Sequence, residues 1–234
     1  LTDRAQLNDS ISDKITNLVT ADVKNYSGNF GWQACLYPTG DKLVFNVPQR
    51  EGAIQYQYVM NTTTGAWCRF TGWNANCFET LGDELYFGGN LGYGANTGYV
   101  AKADVGYSDN GAFINAEVKT AFQYFGSVGV LKRFTMCRPI FYTAGTLQAA
   151  LAMDVDFQDT RPTAAPSFSG TAGTLWNTAP WNTFPWGDVQ TVKRDWQGIT
   201  GIGHCGALHM LIKNNATPLQ WQSVDYVFEI GGVL

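Results

Sequence analysis

Apolar and polar residues alternate over short stretches through most of the chain, and a period of two predicts β-strands. Between residues 28 and 110 the predicted strands are Phe30–Tyr37, Lys42–Val47, Ile54–Met60, Ala66–Thr71, Ala75–Thr80, Glu84–Gly88 and Gly98–Lys102. Longer strands are predicted at Phe113–Phe122, Lys132–Tyr142, Thr146–Phe157, Gly206–Ile212 and Gln220–Ile230. Turns rich in glycine and aspartate separate many of them. The pattern therefore predicts an all-β protein.

One helical pattern precedes the strands. Its apolar residues, spaced to share one helix face, are Ile11, Ile15, Leu18 and Val19. Asp9 and Ser10 are candidates to cap its first turn. We therefore expect residues 1–27 to form a helical lead-in.

A stretch of sequence recurs at an offset of 42 residues. Cys35, Gly40, Asp41, Leu43 and Phe45 are repeated as Cys77, Gly82, Asp83, Leu85 and Phe87. A period of about 40–50 residues made of short strands is typical of a β-propeller blade. We predict two blades in residues 28–110, with the two Gly-Asp pairs in equivalent turns. Because propellers typically have about four to eight blades, a closed ring would need further blades from outside this chain or partners.

The repeat ends at residues 108–111, and residues 111–234 predict a second, β-sandwich-like domain. Within Met153–Phe157 the apolar residues share one face while Asp154 and Asp156 share the other. This is the pattern of a half-buried antiparallel strand, so we expect both carboxylates in solvent. Residues 159–187 form a long loop rich in proline, threonine, alanine and tryptophan. Loops of this length in compact domains usually carry a function or a contact.

Charge and composition limit the classes of function. Charged residues make up 15% of the chain, the net charge is -4, and no group of cations exceeds two adjacent residues. Sequence-independent binding to nucleic acid needs grouped cations, so it is not expected here. The low charge favours a surface that other subunits cover. No apolar run approaches 18 residues, so no segment is expected to span a membrane.

The five cysteines are predicted to be reduced and structural. They stand at positions 35, 68, 77, 137 and 205. Their odd number and the absence of C-x-x-C spacing argue against a zinc site or a complete disulfide framework. We expect Cys35 and Cys77 to be equivalent buried positions in successive blades.

Other candidate chemistry also has an ordinary structural explanation. His204 and His209 are too few for a histidine-based zinc triad and are interpreted as structural or surface residues on opposite faces of a strand. The residues from Gly201 to Gly206 match G-x-G-x-x-G, but a strand follows where a dinucleotide site needs a helix, so we predict a bend at a sheet corner.

Asp154, Asp156 and Asp159 have the chemistry to cleave glycans or bind Ca²⁺, although the solvent-exposed face of a strand also explains them. We predict no catalytic, cofactor-binding or metal-binding residue.

Three tryptophans recur every five residues in the long loop, at Trp176, Trp181 and Trp186. Tryptophan is enriched in interface hot spots, so the segment is a candidate for contact with a sugar or a partner protein. The alternative is a loop that packs on its own domain. The sequence leaves both interpretations open.

Several segments together resemble a known family. They are residues 59–67, 106–111, 121–126, 198–203 and 231–234. They are similar to the C-terminal part of tail proteins of short-tailed bacteriophages, of the tail-nozzle or packaged-DNA-stabilisation type. The resemblance implies a non-enzymatic virion protein, made in the host cytoplasm and built as a propeller with a β-rich platform. It also implies a hexameric ring below the portal and adaptor proteins. Viral DNA would be retained behind the ring and later leave through it, without sequence-specific binding.

Two other functions fit parts of the sequence. The tryptophan repeat favours a receptor- or glycan-binding tail protein, which is usually trimeric. The aspartate pair favours, more weakly, a glycan-cleaving tail enzyme.

Overall fold

The computed structural model describes residues 11–50, 53–89, 98–144, 147–163, 167–168, 190–214 and 217–231. The chain divides into two compact units, residues 1–105 and 106–234. The division falls five residues before the predicted change at position 111. Both units consist of antiparallel sheets, so the prediction of an all-β protein is confirmed. Among the described residues, no helix has the length and apolar character needed to cross a bilayer.

The first unit opens with a short 3-10 turn, Asp13–Ile15, that leads into α1 (Thr16–Tyr26). The predicted caps Asp9 and Ser10 lie outside the described residues. Only part of the predicted apolar face packs: Ile15 and Val19 contact the sheet behind α1, whereas Ile11 and Leu18 are exposed. The face that contacts the sheet contains Ile15, Val19 and Asp22. Asp22 accepts a 2.6 Å hydrogen bond from the buried Tyr58 hydroxyl, and this bond helps to hold that face against the sheet.

All seven strands predicted for this unit are present. They are β1 (Gln33–Tyr37), β2 (Lys42–Arg50), β3 (Ile54–Asn61), β4 (Trp67–Thr71), β5 (Ala75–Leu81), β6 (Glu84–Gly89) and β7 (Tyr99–Lys102). Strands β1 to β4 form one sheet in chain order, and β5 to β7 form a second, also in chain order. Each sheet is therefore an antiparallel meander. The described strands form open sheets and no closed ring.

The 42-residue repeat appears in the second strand of each sheet. Strand β2 begins directly after Asp41 and β6 directly after Asp83, so Phe45 and Phe87 occupy the same position from the turn. The repeat is less exact in the first strand of each sheet. Four residues link β1 to β2 but only two link β5 to β6, so the register of the first strand against the second differs by two residues between the sheets. A shift of two keeps every side chain on its face of the pleat. Cys35 and Cys77 consequently share a face without being equivalent.

The expectation that these two cysteines are buried is wrong. Cys35 is half-buried and Cys77 is exposed. Cys35 points toward the second sheet, whereas Cys77 lies on the face of that sheet that no described element covers. The repeat fixes the face of each residue, but a neighbouring element decides whether the face is buried.

The first sheet is buried on both sides. One side, with Phe45, Val47 and Tyr58, packs against α1. The other side, with Val44 and Val59, packs against Phe78, Leu85 and Phe87 of the second sheet. Stacking of the Trp73 and Phe87 rings, 5.4 Å apart, closes this second core. Each sheet thus presents its Leu-x-Phe face to the element that precedes it in the chain.

Side-chain amides link the first sheet to the start of the second. The Asn46 amide nitrogen lies 2.7–2.8 Å from the Gly31 carbonyl, the Gln55 amide oxygen and the Ala75 carbonyl. Gln57 donates to Asn46 Oδ1 at 2.8 Å and to the Trp73 carbonyl at 3.0 Å. These groups are buried, and buried polar groups need such partners to offset lost hydration.

The second unit contains eight strands among its described residues. They are β8 (Ile114–Lys119), β9 (Lys132–Thr143), β10 (Leu147–Val155), β11 (Ser167–Phe168), β12 (Thr191–Lys193), β13 (Gln197–Gly203), β14 (Gly206–Asn214) and β15 (Leu219–Ile230). One sheet has the order β11-β10-β14-β8. In the other, β15 pairs with one edge of β9, while β12 and β13 follow one another along the opposite edge. The two sheets share one core that includes Phe134, Phe141, Leu208 and Met210.

The Gly201–Gly206 motif lies where the chain passes from one sheet to the other. Strand β13 pairs with β9, strand β14 pairs with β10, and only His204 and Cys205 separate them. A Cβ atom added at Gly203 would stand 2.8 Å from Val155 Cβ. Glycine therefore permits the close approach of two backbones, and the predicted bend at a sheet corner is confirmed.

Candidate functional site

Among the described residues, a dense group of ionisable side chains lies on the second unit, on the face of the β10-β14-β8 sheet opposite the core. His209 of β14 is directly opposite Lys119 of β8 in the strand register. Glu117, two residues before Lys119, shares its face. Asp154 reaches the same face from the end of β10. Asp159 and Arg161 follow that strand, so the pairing of three strands and one loop assembles the cluster.

His209 is the centre of this cluster. Its side chain is 5% exposed, and Nε2 lies 2.9 Å from Glu117 Oε1. Its other ring nitrogen, Nδ1, lies 3.4 Å from Asp154 Oδ2 and 3.7 Å from Asp159 Oδ1, and it has no hydrogen-bond partner among the described residues. A buried ring nitrogen without a partner is uncommon, because burial removes the water that would otherwise bind it.

Asp154 is fully buried, so the prediction that it lies on a solvent-exposed face is wrong. The segment that follows β10 folds back over this face: the Thr160 amide donates to Asp154 Oδ1 at 2.8 Å, and Pro162 is buried there. The strand pattern correctly put Asp154 opposite the core. It did not reveal that a loop covers that side.

Lys119 neutralises part of the negative charge. Its ammonium is 2.6 Å from Asp154 Oδ2 and 2.9 Å from Asp159 Oδ1. The first contact is an ion pair by distance, although Asp154 Oδ2 lacks a hydrogen bond of good geometry. Burial opposes the charge on Lys119, but its contacts with the two carboxylates outweigh burial and raise its pKa. The same ammonium lowers the pKa of Asp159.

Asp156 belongs to a different cluster from Asp154. Its carboxylate accepts hydrogen bonds from the backbone amides of His204, at 2.8 Å, and Cys205, at 3.2 Å. Partial burial opposes ionisation, yet these bonds prevail and the pKa of Asp156 is lowered. His204 is half exposed in the turn before β14, so the two histidines are not on opposite faces of one strand as predicted. The two aspartates therefore have separate hydrogen-bond partners.

Burial makes three of the five cysteines poor nucleophiles. All five are free thiols. Burial raises the pKa of Cys137 to about 12, and burial also raises the pKa of Cys35 and of Cys68. Reactive cysteines need the opposite shift, since the thiolate is the attacking species.

The second unit also has an open cavity of about 620 Å³ beside β15. Aromatic and polar side chains line it together, including Phe125, Trp221, Gln222, Asp225 and Tyr226. Sugars bind to surfaces of this mixed kind, because aromatic faces contact their apolar C–H groups while polar groups bind their hydroxyls. Sequence reasoning missed this cavity, because its walls come from distant parts of the chain.

The tryptophans predicted as contact residues, Trp176, Trp181 and Trp186, lie outside the described residues. The histidine-carboxylate cluster was not predicted as a unit, although Asp154, Asp159 and His209 were each considered. No protein-family model matches the chain, and no curated protein sequence matches it either.

Proposed function

We propose that this chain is a non-enzymatic structural component of a short bacteriophage tail, which forms a ring with further copies and surrounds the path of the viral DNA. One observation carries the proposal: two consecutive meander sheets stack with Phe45 and Phe87 in corresponding places. Each of these residues faces the preceding element. Such stacking is how propeller blades follow one another.

The position of helix α1 limits which faces of the two sheets can contact another copy in such a ring. It covers the face of the first sheet to which a preceding blade would bind. No described element covers the outer face of the second sheet, and Val100 on it is 78% exposed. We therefore propose that a ring grows through contacts between copies. Heterologous contacts of this kind close into a ring when the rotation between subunits permits it.

The charge of the chain agrees with a lumen that does not hold DNA. The net charge is -4. Some cations of each unit are paired, such as Lys42 with Asp104 and Arg138 with Asp225, each at 2.6 Å. Paired cations release few counterions on meeting phosphate, so affinity for DNA stays low.

Imaging of the negatively stained full-length chain, combined with native mass spectrometry, tests the proposal. A six-membered ring is expected. Trp181→Ala is expected to weaken the ring or lower the melting temperature, whereas the control Trp196→Ala, which removes a partly exposed tryptophan stacked with Arg138, should keep the ring intact. A monomer at all concentrations would refute the ring.

A glycan-binding tail protein is the second candidate, and the cavity beside Trp221 favours it. Calorimetric titration with host-surface glycans separates the two functions. Saturable binding that Trp221→Ala abolishes, in a trimer or monomer, would make glycan binding the better assignment.

A further inference from the structure

We propose that Asp154, Asp159 and His209 bind a divalent transition-metal ion, and that the Lys119 ammonium takes the place of the ion when no metal is bound. This inference does not depend on the tail assignment. It also departs from the sequence-based expectation that the chain has no metal ligand.

The contact between His209 and Glu117 determines which ring nitrogen of His209 is available to bind a metal ion. A carboxylate only accepts hydrogen bonds, so the 2.9 Å contact with Glu117 requires that Nε2 carry a proton. In the neutral ring Nδ1 then presents a lone pair, and it faces the oxygens of two carboxylates. Three electron-rich atoms that face each other repel unless a cation lies between them.

The spacing of these atoms suits a small metal ion. One ligand atom from each residue lies within 4.8 Å of the others, and Nδ1 is 3.4 Å and 3.7 Å from the two carboxylate oxygens. In a tetrahedral site with bonds of about 2.0–2.2 Å, ligand atoms are about 3.3–3.6 Å apart. The two separations from Nδ1 are close to this range.

The residues around the ligands match the outer shell of known metal sites. A metal-binding histidine usually donates its other N–H to a carboxylate, as His209 does to Glu117. The Thr160 amide holds Asp154 Oδ1 and so directs Oδ2 inward. One imidazole with two carboxylates favours Zn²⁺, Co²⁺ or Mn²⁺, whereas Ca²⁺ needs six to eight oxygens.

Lys119 now occupies the position of the cation. Its ammonium touches both carboxylates, yet its side chain is 28% exposed. It also contacts the Gln158 carbonyl at 3.1 Å, at the edge of the cluster. The lysine can therefore turn toward solvent when a metal ion enters. Metal and ammonium compete for the same two oxygens, so removal of the ammonium should strengthen metal binding.

A titration of the chelator-treated, full-length chain with Co²⁺ tests the proposal, since bound Co²⁺ has visible absorption bands and Zn²⁺ abolishes them by displacement. The wild-type chain is expected to bind one Co²⁺. Lys119→Met should bind it at least ten times more tightly. Asp159→Asn, which alters an exposed side chain and spares the fold, should weaken binding by about 100-fold or more, as should His209→Gln. Glu117→Gln should weaken it by about 10- to 100-fold.

His204→Gln is the matched control, because it removes the other histidine and should leave Co²⁺ binding unchanged. Binding that survives both His209→Gln and Asp159→Asn, with the intense near-ultraviolet band of thiolate ligation, would assign the metal to cysteines and overturn the proposal. A wild-type chain without Co²⁺ bands at millimolar metal would overturn it too, even if Lys119→Met binds.

Discussion

The substitution Asn46→Leu tests whether the amide network holds the two sheets of the first unit together. Leucine has the same number and branching of side-chain heavy atoms as asparagine and has no polar atoms, so it removes hydrogen bonds without opening a cavity. Asn46 is fully buried and has four polar neighbours: the Gly31 carbonyl, the Ala75 carbonyl, Gln55 and Gln57.

The expected loss follows from the number of bonds. The amide nitrogen has two hydrogens for three acceptors, and Oδ1 accepts one further bond from Gln57. Three hydrogen bonds at about 1 kcal/mol each give about 3 kcal/mol. The partners left without hydrogen bonds add to this loss, and the extra apolar surface of leucine offsets part of it. We expect the free energy of unfolding of the first unit to fall by about 3 kcal/mol.

Hydrogen exchange measured by mass spectrometry in increasing urea resolves this loss, because peptides report on each unit separately. Gln49→Leu is the control: it lies on the same strand, is exposed, and its side chain hydrogen-bonds the Tyr26 hydroxyl at 3.3 Å. Its cost should stay within about 0.5 kcal/mol. The double variant with Gln57→Leu should lose less than the sum of the two single losses, since both partners are replaced. If Asn46→Leu costs no more than the control, the network does not join the sheets.

Three further outcomes are expected. Gly203→Ala should lower the unfolding free energy by about 1–3 kcal/mol, because its Cβ would meet Val155. The control Gly198→Ala should be nearly neutral, because the space around its Cβ is open. Equal shifts in the melting temperature of the two variants would contradict the close approach at Gly203. The pKa of Asp156 is lowered in the folded chain, so its contribution to stability is present above about pH 4 and is lost as the pH falls through the folded value. Asp156→Asn should therefore flatten the acid limb of a plot of melting temperature against pH, and an unchanged limb would argue against it. Titration of the denatured, unreduced chain should find five free thiols, and three or fewer would indicate disulfides.

The sequence alone was enough to predict most strands, because alternation and Gly-Asp turns act over a few residues. All seven strands of the first unit follow from it, and so do five in the second. Strand β13 was missed, since Gln197–Gly203 contains three glycines and resembles a loop. At Gly201 and Gly203 a side chain is excluded because Val155, about 50 residues earlier in the chain, passes too close. A local sequence pattern cannot show this contact, because the two segments are far apart in the chain.

Burial and the candidate metal site were decided by tertiary structure. Alternation placed Asp154 opposite the core, but only the return of residues 156–163 over that face removes it from water. His209 meets Glu117 because β8 pairs with β14 in one register, across 92 residues of sequence. The sequence determined the faces of each strand, since the pleat has a fixed period. The partners on those faces depend on which strands pair and in which register, and long-range packing selects both.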